Sequence, residues 1–63
     1  EDAHLTERER EVFGLQARGR NSRYIQETLV VSYNTVKTHV SHVYAKLGVH
    51  SQQELIDVVE SGA

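Results

Sequence analysis

The sequence contains no cysteine, proline, methionine or tryptophan. Without cysteine there can be no disulfide and no thiolate metal site, a usage that fits a reducing cytoplasm. Without proline no helix is kinked by a missing amide, and tight turns fall to Gly14, Gly19, Gly48 and Gly62, the only glycines. No apolar run approaches the ~20 residues needed to span a bilayer, and no signal-peptide pattern occurs, so this segment is not expected to insert in a membrane. Methionine is missing even at position 1, which reads as a piece excised from a longer protein. Sixty-three residues allow one small domain with a thin core, feasible without staples when it is compact and helical.

A further absence is local. No Asp or Glu lies between Thr28 and Gln53, although acids outnumber bases in the chain as a whole and the net charge is −2. Residues 1–17 and 51–63 each carry −3, while residues 18–50 carry +4 from Arg18, Arg20, Arg23, Lys37 and Lys46 against Glu27. The net charge alone argues against a nucleic-acid partner; its distribution, a basic middle between acidic flanks, argues for one.

The acid-free stretch also holds the clearest periodicity. Val36, Val40, Val43, Tyr44 and Leu47 fall on one helical stripe, and Asn34, Lys37, Thr38, Ser41 and Ala45 on the opposite side. Ser32 is placed to cap this helix, predicted over about 33–47, and Gly48-Val49 to stop it. Ahead of it, Thr6 and Glu9 have the spacing of a capping box for a first helix ending near Arg18, with Gly19 as a left-handed stop. Val12, Phe13 and Ala17 are its core residues, joined by Leu5 and Leu15, while Gly14 and Gln16 weaken its apolar side. Asn21 caps a shorter second helix through about Leu29, anchored by Ile25 and Leu29. So short a link to the next helix, Val30 to Ser32, favours a steep crossing of the helix-turn-helix kind. Ser51-Gln52-Gln53-Glu54 reads as a second capping box, opening a short fourth helix with Leu55, Ile56, Val58 and Val59. That helix is more apolar than a thin domain can bury, so part of it is expected to face another subunit; Ser61-Gly62-Ala63 reads as a frayed end. The fold class is therefore all-α, four helices around a helix-turn-helix, in a single domain over 1–63.

With these elements placed, the chain resembles the C-terminal DNA-binding domain of LuxR-type (GerE-like) bacterial transcriptional regulators. The likeness runs from Leu5 to about Val59 and rests on Leu5-Thr6-Glu7-Arg8-Glu9-Arg10-Glu11-Val12, on Ile25 and Leu29, on Thr35-Val36-Lys37 with His39-Val40, and on Lys46-Leu47-Gly48-Val49 followed by Ser51. It implies that the third helix enters the major groove of double-stranded DNA. It implies base contacts from Lys37, Thr38, Ser41 and Asn34, and phosphate contacts from Asn21, Ser22, Arg23, Ser32, Thr35, His39 and Lys46. The fourth helix would form a homodimer contact on DNA through Gln52, Ile56 and Val59. The resemblance implies no cofactor, and an upstream domain, such as the receiver of a response regulator, that supplies the signal. The chain departs from the family pattern at Gln16, where an aliphatic residue is usual, at Tyr24 for Glu, Gln26 for Ala, His42 for Asn and Gln52 for Arg. The loss of positive charge implies weak binding by one domain, steeply salt-dependent and helped by dimerisation.

Other chemistry finds little support. His39 and His42 have H-x-x-H spacing, but no cysteine or nearby carboxylate in the sequence completes a metal site and His50 is distant. Glu7, Glu9 and Glu11 alternate with Arg8 and Arg10, as in a salt-bridged surface turn, and no nucleophile, base and oxyanion group occur together, so no enzyme is expected. The competing class is a helix-turn-helix used for protein contact, with the acidic flanks turned to RNA polymerase or a partner domain. The acid-free helix face favours DNA.

Overall fold

The computed structural model describes residues 5–61, and all four expected helices are present: α1 (Glu7–Ala17), α2 (Ser22–Leu29), α3 (Tyr33–Leu47) and α4 (Gln52–Glu60). Among the described residues there is no strand. Each helix begins where a side chain takes up an orphan amide. Thr6 Oγ1 accepts from Glu9 N–H, and Glu9 in return accepts from Thr6 N–H, both at 3.1 Å. Asn21 accepts from Tyr24 N–H at 2.8 Å and Ser32 from Thr35 N–H at 3.2 Å. Ser51 likewise accepts from Glu54 N–H, but the second capping box is only half made: the Glu54 carboxylate takes the His50 amide at 2.8 Å, one residue before the expected partner.

The stops also follow local chemistry, with one exception. Gly19 and Gly48 adopt φ of 81° and 73° after α1 and α3, the left-handed region open to glycine. After α2 that conformation falls on Val30, φ 56°, a β-branched residue 86% exposed. Ser61 is not frayed: its N–H donates to Asp57 O and its hydroxyl to Val58 O, closing α4. Gly62 and Ala63 lie outside the described residues.

The core is two small clusters rather than one. Val12, Ile25 and Val36 form the first, with Leu15, Leu29, Val31 and Val40 around them; Leu5, Val43, Val49 and Leu55 form the second, with Phe13, Ala17, Tyr44, Leu47 and Val58. Helices α1 and α3 contribute to both, so α3 is held along its length by its Val36–Leu47 stripe. Full burial of a Val, Leu or Ile is worth roughly 1.5–3 kcal/mol. Five side chains reach it: Val12, Ile25, Val36, Val43 and Leu55. Because its buried stripe fixes its rotation, α3 presents the remaining side to solvent.

Candidate nucleic-acid interface

The solvent side of α3 carries Asn34, Lys37, Thr38, Ser41 and Ala45, all exposed. Thr38 donates its hydroxyl to Asn34 O at 3.0 Å, a back-bond along the same helix. The Lys37 ammonium lies 5.5 Å from the centre of the Tyr33 ring, so the lysine stem is steadied by a neighbour on the same helix. The structure thus brings together the four residues expected at bases: Asn34, Lys37, Thr38 and Ser41.

The expected phosphate set is divided. At the start of α3, the Ser32 hydroxyl donates to Thr35 Oγ1 at 2.9 Å, so the two hydroxyls form one polar cap. At the start of α2, Arg23 pairs with Glu27 at 3.4 Å with both side chains largely in water, a contact of small worth that another anion can displace. The Arg20 guanidinium stacks 4.7 Å over Tyr24, the residue standing where the family pattern has Glu. A shallow groove of about 300 Å³ runs past Gly19, Arg20, Asn21, Arg23, Tyr24 and Glu27. Neither α2 nor α3 has an acid in its first turn, whereas α1 carries Glu7 and Glu9 and α4 carries Glu54. The positive dipole ends of the two middle helices therefore have no compensating acid in their own first turns.

His39 and Lys46 sit on the flank of α3 that turns towards α1. His39 Nδ1 is buried without a hydrogen-bond partner. Lys46 also has a partner inside the chain: its ammonium lies 2.7 Å from Glu9 Oε1, a carboxylate only 6% exposed, and neutralises that buried charge while its own side chain stays 35% exposed. His42 Nδ1 approaches the other oxygen of Glu9 at 3.3 Å. The Lys46 ammonium, followed by the Thr6 amide and opposed by burial, holds the Glu9 carboxyl at about 2, well below the usual carboxylate range.

On α4, Ile56 is half-buried and Val59 is 40% exposed. Gln52, expected beside them, spends its amide within the chain, donating to Gln16 O at 3.1 Å and Arg20 O at 3.0 Å. It thereby ties α4 to the C-terminal end of α1 and to the turn that follows. The Gln16 departure is likewise explained. Its side chain is buried and accepts the Tyr44 hydroxyl at 2.6 Å, while burial pushes the Tyr44 phenol upward. Sequence reasoning missed the Glu9–Lys46, Glu9–His42 and Gln16–Tyr44 links. The one signal for the first two is that 42 and 46 lie a helical turn apart, just outside the arc of Asn34, Lys37, Thr38, Ser41 and Ala45.

Among the described residues, no three His, Cys, Asp or Glu side chains gather as a metal site, and no helix is long and apolar enough to cross a membrane. No solved structure matches the chain. Residues 3–59 match the model of the bacterial regulatory proteins of the LuxR family (GerE). Over 53 residues the chain is 47% identical to HTH-type transcriptional regulators of Mycobacterium bovis and Mycobacterium tuberculosis, covering 84% of this chain and 6% of those proteins. It is 42% identical over 53 residues to the oxygen regulatory protein NreC of Staphylococcus aureus, covering 84% of this chain and 24% of that protein. The four capped helices, the outward face of α3 and this match over almost the whole length agree: the chain belongs to the LuxR family of bacterial regulatory proteins, as an all-α helix-turn-helix domain of DNA-binding regulators.

Proposed function

We propose that this chain is the DNA-reading module of a longer regulator and that α3 enters the major groove with Lys37, Thr38, Ser41 and Asn34 towards base edges. The observation that carries this reading is the solvent face of α3: five small or hydrogen-bonding side chains, one of them cationic, with no acid from Thr28 to Gln53. A polyanion approaching that face meets no like charge, and Lys37 has the donors that guanine O6 and N7 accept. Asn21, Ser22, Arg23, Ser32, Thr35 and His39 flank the face and are proposed at phosphates, helped by the uncompensated starts of α2 and α3. Lys46, whose side chain stays 35% exposed beside Glu9, is proposed at phosphate as well. A second copy is proposed to pack against Ile56 and Val59 of α4, placing two reading heads on related half-sites. The reading as one module of a larger chain is supported by the small share of its relatives that it spans, 6% and 24%.

The test is retention of the 63-residue chain on duplex DNA of mixed sequence across a salt series. Binding that falls steeply with salt is expected. Replacing Lys37 with Ala should cost about 1–3 kcal/mol on a duplex recovered by binding-site selection, if that lysine reads a base. No salt-sensitive binding at low ionic strength, even with a covalently dimerised chain, would overturn the proposal in favour of a protein-contact module.

A further inference from the structure

Glu9 does more than cap α1. Its buried carboxylate takes Lys46 on one oxygen and His42 on the other, at 2.7 and 3.3 Å. A proton added to His42 adds one positive charge at the surface of α3. The histidine is well placed to show that charge: its side chain is 58% exposed. It lies about 40° round the helix from Thr38, at the rim of the outward face. A helix ~10–12 Å across fills a major groove ~12 Å wide, so the centre of its outward arc meets bases and the rim meets the phosphate walls.

We infer that His42, oriented by Glu9, is a DNA phosphate contact that forms when its imidazole is protonated, which makes the affinity of this domain for DNA rise as pH falls. The inference rests on the DNA-binding reading and adds to it a residue and a control. The contact to Glu9 decides the chemistry. A neutral ring donating from Nδ1 to Glu9 leaves Nε2 as a bare acceptor, which repels a phosphate oxygen. Protonation turns Nε2 into a donor while Nδ1 keeps its bond to Glu9. Among the described residues, the charged and titratable groups beside the ring are Glu9 from α1, and Lys46 and His39 one helical turn away on α3. Glu9 stays ionised across the neutral range, with its carboxyl near 2.

The experiment is fluorescence anisotropy of a short labelled duplex of mixed sequence, titrated with wild type, His42→Gln and His42→Arg at about pH 6 and about pH 8 over a salt series. His42 is exposed, so both variants are expected to fold, and circular dichroism at each pH checks it. The wild type should gain about threefold to tenfold more affinity than His42→Gln on going from the higher to the lower pH. Its salt slope at the lower pH should exceed that of the variant by about one unit, with no difference at the higher pH. His42→Arg should bind at the higher pH as tightly as wild type does at the lower. If His42→Gln keeps the whole pH gain and slope, or His42→Arg is no tighter than wild type at the higher pH, the inference is overturned while DNA binding stands. If wild type binds the duplex at neither pH, the DNA-binding reading fails and takes the inference with it.

Discussion

At the scale of single residues, Glu9 links three parts of the chain: the Thr6 amide, the Lys46 ammonium and the His42 ring. A carboxylate held at about 2 when folded, against 4.5 for the free side chain, binds fewer protons in the native state than in the unfolded one. Its stabilisation is therefore fully present above about 4.5 and is lost as pH falls from there towards 2. Denaturant melts of wild type and Glu9→Gln across that window should converge as pH drops, with the variant the less stable of the two near neutrality. Parallel curves would show that Glu9 contributes nothing specific. Gln16 makes a related point about legibility. The sequence marks it as a polar intruder in an apolar stripe, but only the packing shows Tyr44 and Gln52 reaching it from α3 and α4. Lys37, by contrast, was legible from motif and helical phase, because an outward position on a helix follows from which residues are buried.

At the scale of elements, the helix limits were written in local chemistry. Thr6, Asn21, Ser32 and Ser51 accept the amides that their spacing predicted, since a cap needs only residues within one turn of itself. The deviations arise where two local options compete, as at Glu54, whose carboxylate chose the His50 amide. Two positions carry avoidable cost. Gly14 lies inside α1, and a Cβ built there meets nothing within 4 Å, so Gly14→Ala should stabilise the domain by about 1 kcal/mol. Val30 holds a left-handed conformation while almost wholly exposed, so Val30→Gly should relieve strain at no cost in packing. The expected gain is about 0.5–1 kcal/mol, after the greater freedom of glycine in the unfolded chain is set against it. Thermal melts of both single variants check this. A loss at Val30→Gly would mean that the valine makes a contact the exposed turn does not suggest.

At the scale of the whole molecule, a thin core split into two clusters leaves α1 and α3 as the common walls and α2 and α4 each attached to one side. Helix α2 belongs to the Val12–Ile25–Val36 cluster, which sets the helix-turn-helix; α4 belongs to the other through Leu55 and Val58, with Val59 exposed and Ile56 half-buried. In the proposed dimer those two side chains meet their symmetry copies, so Val59→Lys should lower self-association by sedimentation equilibrium while leaving the fold intact. On a duplex with two half-sites it should also weaken binding by about tenfold or more, as the second head loses its tether. Unchanged sedimentation together with unchanged affinity would remove α4 from the interface.

The sequence by itself determined the class of the domain, the limits of its helices and the face that α3 shows to solvent. Caps, stops and apolar periodicity act within a turn or two of the chain, and one stripe of buried residues is enough to orient a helix. The tertiary structure decided which polar residues also have partners inside the chain. Lys46 and Gln52 looked like surface groups on their own helices, yet the first is drawn to the buried Glu9 carboxylate and the second bridges two backbone carbonyls at the end of α1. Those partners lie 37 to 32 residues away along the chain, and a carboxylate or carbonyl acquires a claim on a distant donor only when folding has removed its water.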